Sequence, residues 1–220
     1  MGTGDIKSIV RKACNELRND IAFGDFKPGD RVSEKLLTQK YGVSRASIRE
    51  ICRQLASEGY LTLKPYAGVV VTKLSLRDVD IIYNILIRCE SYATALFTQR
   101  QDRICCKKLG LLNKKMQSAE AKLEYKIWLE INDKFHRSIF SNCGSPILSD
   151  LIYHTRLRIY RFRRVSTIPE YIDQYNRQHS KILKAICDRN SSLAEKLMMD
   201  HLEFSRARRL ELFREFDKIF

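Results

Sequence analysis

Between Asp5 and Phe23 the apolar residues Ile6, Ile9, Val10, Ala13, Leu17 and Ile21 fall three or four positions apart, which predicts an amphipathic helix. The segment GDFKPGD that follows supplies two glycines and a proline, a turn. Ser33 is placed to cap a second, short helix that stops at Gly42, and Ser44 to cap a third that ends at Gly59. The runs YLTLK and VVVTK then have β-type composition and are joined by PYAG, which predicts a hairpin. From Ser75 onward the spacing is helical throughout, and only Pro146 and Pro169 interrupt it. Helices are expected near 76–102, 104–122, 124–142, 147–166, 169–189 and 191–217.

The order helix, helix, tight turn, helix, hairpin is that of a winged helix-turn-helix. The predicted fold class is therefore mostly α: a winged helix-turn-helix over residues 1–74, then an all-helical bundle domain over 75–220. A chain of 220 residues is long enough for two such cores, and 44% apolar residues argue against disorder. The net charge of +14 suits a polyanionic partner, yet it is spread over both halves, so local pattern has to carry the argument. Seven cysteines without a Cys-x-x-Cys pair favour reduced thiols over a disulfide framework. No apolar run approaches the roughly 20 residues of a membrane span, so no membrane partner and a cytoplasmic location are expected.

The third helix, within GVSRASIREICRQLASEGYL, carries Arg45, Arg49 and Arg53 in one row, beside an apolar face of Ile48, Leu55 and Leu61. In a helix-turn-helix this second helix of the motif lies in the major groove with its N-terminal residues against base edges. Arginine suits that position because its planar fork matches the O6 and N7 acceptors of guanine. Small residues at 46 and 47 let the backbone come close, and the hydroxyls of Ser44 and Ser47 can bond phosphates. Arg53, one turn further on, fits a phosphate contact or a pairing with an acid. A spaced row of charge on a helix is usually a solvated face; here the turn, the cap and the hairpin accompany it in the right order.

The stretch FKPGDRVSEKLLTQKYGVSRASIREICRQLASEGYLTLKPYAGVVV resembles the DNA-binding domain of GntR-type bacterial transcription regulators. The shared pattern is Pro-Gly, Ser-Glu, a Gly-Val-Ser-Arg turn, a following Arg-Glu, Leu-x-x-x-Gly-Tyr-Leu, and a glycine in the wing. The resemblance implies DNA contacts by Lys35, Arg45 and Arg49, assisted by Ser44, Ser47 and Gly68. It departs at the wing tip, where Pro65-Tyr66-Ala67 stands in place of the Arg or His common in the family.

The chain has only four histidines, and three of them fall on separate predicted helices. His136 lies in EINDKFHRSIF with Asn132 one turn earlier on the same face, His179 in YNRQHSKIL, and His201 in LMMDHLEF. Antiparallel helices can gather such side chains in a core, where imidazoles ligate zinc, nickel or similar ions. Taken singly, each reads as an ordinary core or surface histidine, and three on separated helices are not a motif. From Asp78 onward, however, the chain is similar to the FCD ligand-binding domain of the FadR subfamily, through DVDIIYNILIRCESYATALFTQR, NDKFHRSIFSNCGSPIL and QHSKILKAICDRNSSLAEKLMMDHL. That resemblance implies a divalent metal ion, zinc or nickel, held by Asn132, His136, His179 and His201. Asn132 stands where the family has Asp or Asn, and Asp133 is a rival ligand about 100° round the helix. Family members commonly carry an arginine four residues before Glu90 for an effector carboxylate. This chain has Leu86 there; Arg88, two residues further on and facing elsewhere on the helix, is the candidate effector-binding residue. His154 and the basic run from Arg156 to Arg164 line the cavity in part or form a solvated face.

The function expected is a ligand-responsive repressor, a homodimer on a palindromic double-stranded DNA operator, with a carboxylate or sugar acid as effector. The rival is a metalloenzyme domain using the three histidines, fused to a DNA-binding module. No carboxylate is evidently placed as its general base, Glu130 and Asp133 being near only in sequence.

Overall fold

A computed structural model describes residues 3–64, 68–100, 103–160 and 169–217. The N-terminal elements are α1 (Thr3–Phe23), β1 (Arg31–Val32), α2 (Glu34–Tyr41), α3 (Arg45–Ser57), β2 (Leu61–Lys64) and β3 (Gly68–Val71). Local chemistry sets the bounds of α2 and α3. The Ser33 hydroxyl accepts from the Leu36 amide at 3.1 Å, and the Ser44 hydroxyl from the Ser47 amide at 3.1 Å. Gly42 ends α2 in the left-handed region at φ 67°, a conformation glycine adopts without steric cost, and returns its N–H to the Thr38 carbonyl.

Leu17, Leu37, Ile48, Ile51, Leu55 and Tyr60 are buried between the helices and the sheet. Arg18 of α1 grips both oxygens of Glu58 at 2.9 Å, which anchors the far end of α3. The hairpin expected from the β-type runs is part of a three-stranded antiparallel sheet in the order β1-β3-β2. Leu61 pairs with Val71 and Lys64 with Gly68, while Arg31 pairs with Val70. Strand β1 falls between the turn GDFKPGD and the cap Ser33, where the sequence pattern predicts no element. It is two residues long, too short to show an alternating pattern, and exists through its pairing with β3. The wing tip Pro65-Tyr66-Ala67 lies outside the described residues.

The rest of the chain forms α4 (Leu76–Arg100), α5 (Arg103–Ala121), α6 (Tyr125–Phe140), α7 (Pro146–Tyr160), a 3₁₀ turn (Pro169–Tyr171), α8 (Ile172–Cys187) and α9 (Ser191–Asp217). Where they fall on described residues these bounds lie within a few residues of those expected, except that Pro169 opens a 3₁₀ turn rather than α8 itself; the expected helix ends at 102 and 166 lie outside the described residues. Helix α4 runs along α9, α8 packs on α9, and α5 packs on α6 and α8. Leu86, Leu109, Met116, Phe135, Ile139, Phe140, Ile182 and Met198 fill the interior. The chain divides into two compact units, Met1–Ser75 with Leu157–Arg164, and Leu76–Arg156 with Val165–Phe220. Among the described residues no helix is long and apolar enough to cross a membrane.

Candidate metal centre and nucleic-acid interface

In the second unit, α6, α8 and α9 deliver His136, His179 and His201 to one point. All three are buried, and their ligand nitrogens lie within 4.8 Å of one another. The Nε2 of His136 is 3.3 Å from that of His179 and 3.2 Å from that of His201. His136 Nδ1 lies 2.5 Å from Glu90 Oε1, and His201 Nδ1 lies 2.9 Å from Gln178 Oε1. Both partners are acceptors, so each of these rings carries its proton on Nδ1 and turns a bare Nε2 lone pair inward. The close approach of His136 to His201 is then between two unprotonated nitrogens. His179 Nδ1 is buried and has no hydrogen-bond partner among the described residues.

Burial pushes all three imidazoles towards the neutral form. For His136 the nearby Arg156 adds to that, and Glu90 only partly opposes it. His179 and His201 lie well below the ordinary histidine range, each held there by burial first and neighbouring histidines second. The result is a set of neutral nitrogen donors at neutral pH, which is the state a metal ion requires.

Two further residues complete the cluster. Glu90 of α4 is fully buried and accepts from Arg156 of α7, Nε to Oε2 at 2.7 Å and Nη2 to Oε1 at 2.5 Å. Burial alone would raise the Glu90 carboxyl, but Arg156 and then His136 bring it down to about 2, so it stays ionised. Sequence reasoning had used Glu90 only as a reference position and had left Arg156 between cavity lining and a solvated face. A glutamate in the middle of the otherwise apolar-faced α4 was the available signal.

Asn132 is half-buried on α6, one turn before His136. Arg88 is exposed on α4, its Nη1 donating to the Asn84 carbonyl at 3.1 Å. His154 is exposed, as is Arg158, while Arg161, Arg163 and Arg164 lie outside the described residues.

In the first unit, α3 presents Arg45, Arg49 and Arg53 on its exposed side, with Ile48, Ile51, Cys52 and Leu55 beneath. Arg45 makes no ion pair among the described residues, and Lys35 is exposed nearby on α2. Arg49 Nε donates to Glu34 Oε1 at 2.9 Å and Oε2 at 3.1 Å. Arg53 pairs with Glu50 at 3.3 Å, the acid pairing considered for it. Ser47 is half-buried and Ser44 exposed, their hydroxyls 3.0 Å apart, and Gly68 opens β3 on the exposed side with φ +79°.

Comparison with known proteins gives both halves a place. Residues 9–71 match the family described as bacterial regulatory proteins, gntR family, and residues 82–204 match the FCD domain. The uncharacterized HTH-type transcriptional regulator YdhC of Bacillus subtilis (strain 168) is 29% identical over 192 residues, 85% of this chain and 84% of its own. The HTH-type transcriptional repressor GlaR of Escherichia coli (strain K12) is 26% identical over 196 residues, 84% of this chain and 89% of its own. The solved structure of E. coli McbR/YncC superposes with a TM-score of 0.81 at 21% identity, covering 94% of this chain and 98% of the other.

Proposed function

From the premise that the chain belongs to the bacterial gntR family of DNA-binding transcription regulators and carries an FCD domain, we propose a repressor whose operator binding is set by a metal-assisted small-molecule site. Its relatives are transcription regulators rather than enzymes, which leaves the metalloenzyme reading without support. The observation that carries the proposal is the convergence of three buried Nε2 atoms in the helical unit, those of His136 and His201 without a proton. The lone pairs of His136 and His201 that face one another at 3.2 Å repel, and a cation between them removes the repulsion. Two nitrogens bound to one tetrahedral ion at roughly 2.0–2.1 Å sit about 3.3 Å apart, so the spacing suits zinc, and the imidazole set suits nickel too.

In this reading His136, His179 and His201 hold the ion, with Asn132 adding a neutral carbonyl oxygen. The ion supplies a positive charge that an effector carboxylate can share. Glu90, fixed by Arg156, holds the His136 tautomer and ring orientation, and Gln178 does the same for His201. A small carboxylate or sugar acid is the effector class. To switch the protein it must bind two arrangements of the chain with different affinity.

At the other end, a homodimer sets two α3 helices in successive major grooves of a palindromic operator. Arg45 and Arg49 read base edges there, while Lys35, Ser44, Ser47 and the wing at Gly68 contact the backbone. Repression is carried over from GlaR, a transcriptional repressor.

Metal analysis of the purified protein, with a thermal-shift screen of carboxylates and sugar acids, tests the sensor. About one ion per chain and a stabilising compound are expected; neither appearing would sink it. For the DNA end, Arg49→Ala should weaken binding to the preferred duplex by about 1–3 kcal/mol relative to random duplex. Equal losses on both, measured by fluorescence anisotropy, would make Arg49 a phosphate contact instead.

A further inference from the structure

The arginine row on α3 is not uniform, and the difference lies in a residue of another helix. Arg45 projects without an ion pair among the described residues, whereas Arg49 is tied across to Glu34 of α2 through its Nε. The side chain of Arg49 is 61% exposed and that of Glu34 35%. An ion pair so open to solvent adds little to stability, because water screens it and two long side chains lose freedom. A carboxylate there also lies beside the surface that a polyphosphate approaches, which weakens the general attraction for DNA. So neither stability nor general affinity accounts for an acid at this position.

Arginine geometry accounts for it. The guanidinium has five N–H donors in a rigid plane, and guanine readout uses two of them together. Glu34 engages the Nε of Arg49, and no described residue engages its terminal nitrogens. Glu34 is itself well placed as an anchor, since it sits in the first turn of α2 directly after the Ser33 cap. The helix N-terminus favours its negative charge.

We propose that Glu34 is a specificity-determining positioning residue, which holds the Arg49 guanidinium in the orientation for base readout while lowering attraction to non-cognate DNA. This rests on the reading of Arg49 as a base contact. Glu34 sharpens discrimination from both sides, through a better oriented donor pair on the right sequence and a repulsive charge on every sequence.

The test uses the full chain, a duplex selected by it from a random-sequence pool, and a random-sequence duplex as competitor. Glu34→Gln should weaken binding to the selected duplex roughly five- to tenfold and leave random duplex bound as tightly or more tightly. Glu34→Asp keeps the charge but shortens the reach, so it should lose affinity for the selected duplex without any gain on random duplex. With Arg49→Ala already in place, Glu34→Gln should no longer change the ratio of the two affinities beyond its effect on charge. Equal changes on both duplexes, or an undiminished loss of discrimination in the Arg49→Ala background, would overturn the role of Glu34 alone. If Arg49→Ala by itself leaves the ratio unchanged, the base-reading assignment and this inference fall together.

Discussion

Replacing His179 with alanine is expected to take the bound metal from about one ion per chain to near none after dialysis, with the helical content retained. Loss of a partner that merely orients a ligand costs roughly 10–100-fold in metal affinity, and loss of a ligand should cost more. His179 is the informative choice among the three. Its Nδ1 makes no hydrogen bond among the described residues, so its removal strands no partner outside the histidine cluster, whereas removal of His136 or His201 would strand Glu90 or Gln178. It packs instead edge-on against Phe135, with ring centroids 4.9 Å apart, and near Trp128 at 6.3 Å, apolar neighbours that tolerate the change. Metal content by elemental analysis, beside circular dichroism, reads the result. Unchanged stoichiometry in the variant would remove the three histidines as a metal centre.

Replacing Glu90 with leucine should destabilise the helical unit by about 3–5 kcal/mol, because it leaves the buried Arg156 guanidinium without its carboxylate. Removing both charges together, Glu90→Leu with Arg156→Met, should restore most of that loss. A buried ion pair exchanged whole for apolar groups of similar size is often neutral or stabilising. The double variant should still bind metal roughly 10–100-fold more weakly, since His136 loses the acceptor that fixes its tautomer. Urea unfolding and metal titration of the two variants therefore separate two roles of one carboxylate. If the double variant binds metal like the original chain, Glu90 serves the packing of charge and nothing more.

How far the sequence could be read depended on whether the physics was local. The caps at Ser33 and Ser44 and the left-handed Gly42 involve residues three or four apart, and these were legible. So were the long helices, whose apolar period repeats over many turns. Strand β1 was not, because two residues carry no period and only β3 makes them a strand. The three histidines could be named from their flanks, but their meeting depends on how α6, α8 and α9 pack. Arg156 was the harder case. On α7 it alternates with Arg158, and neither the spacing nor the composition says that the first is buried and the second exposed. The partner that makes burial tolerable, Glu90, is 66 residues away. In the same way nothing local links Glu34 to Arg49, which lie on separate helices.

The cluster at the centre of the helical unit draws one side chain from each of α4, α6, α7 and α9, two from α8 (Gln178 and His179), and none from α5. To open any of the five is to strip a charge or a polar nitrogen of its buried partner, so they are bound to open together. Amide hydrogen exchange should therefore show those five helices, α7 as far as Arg156, sharing a single free energy of opening. Helix α5, held by the burial of Leu109 and Met116 and by the Asn113 to Ser180 hydrogen bond, should exchange through a separate and lower one. Adding the metal should slow exchange in the five and barely alter α5, drawing the outline of the sensor in protected amides.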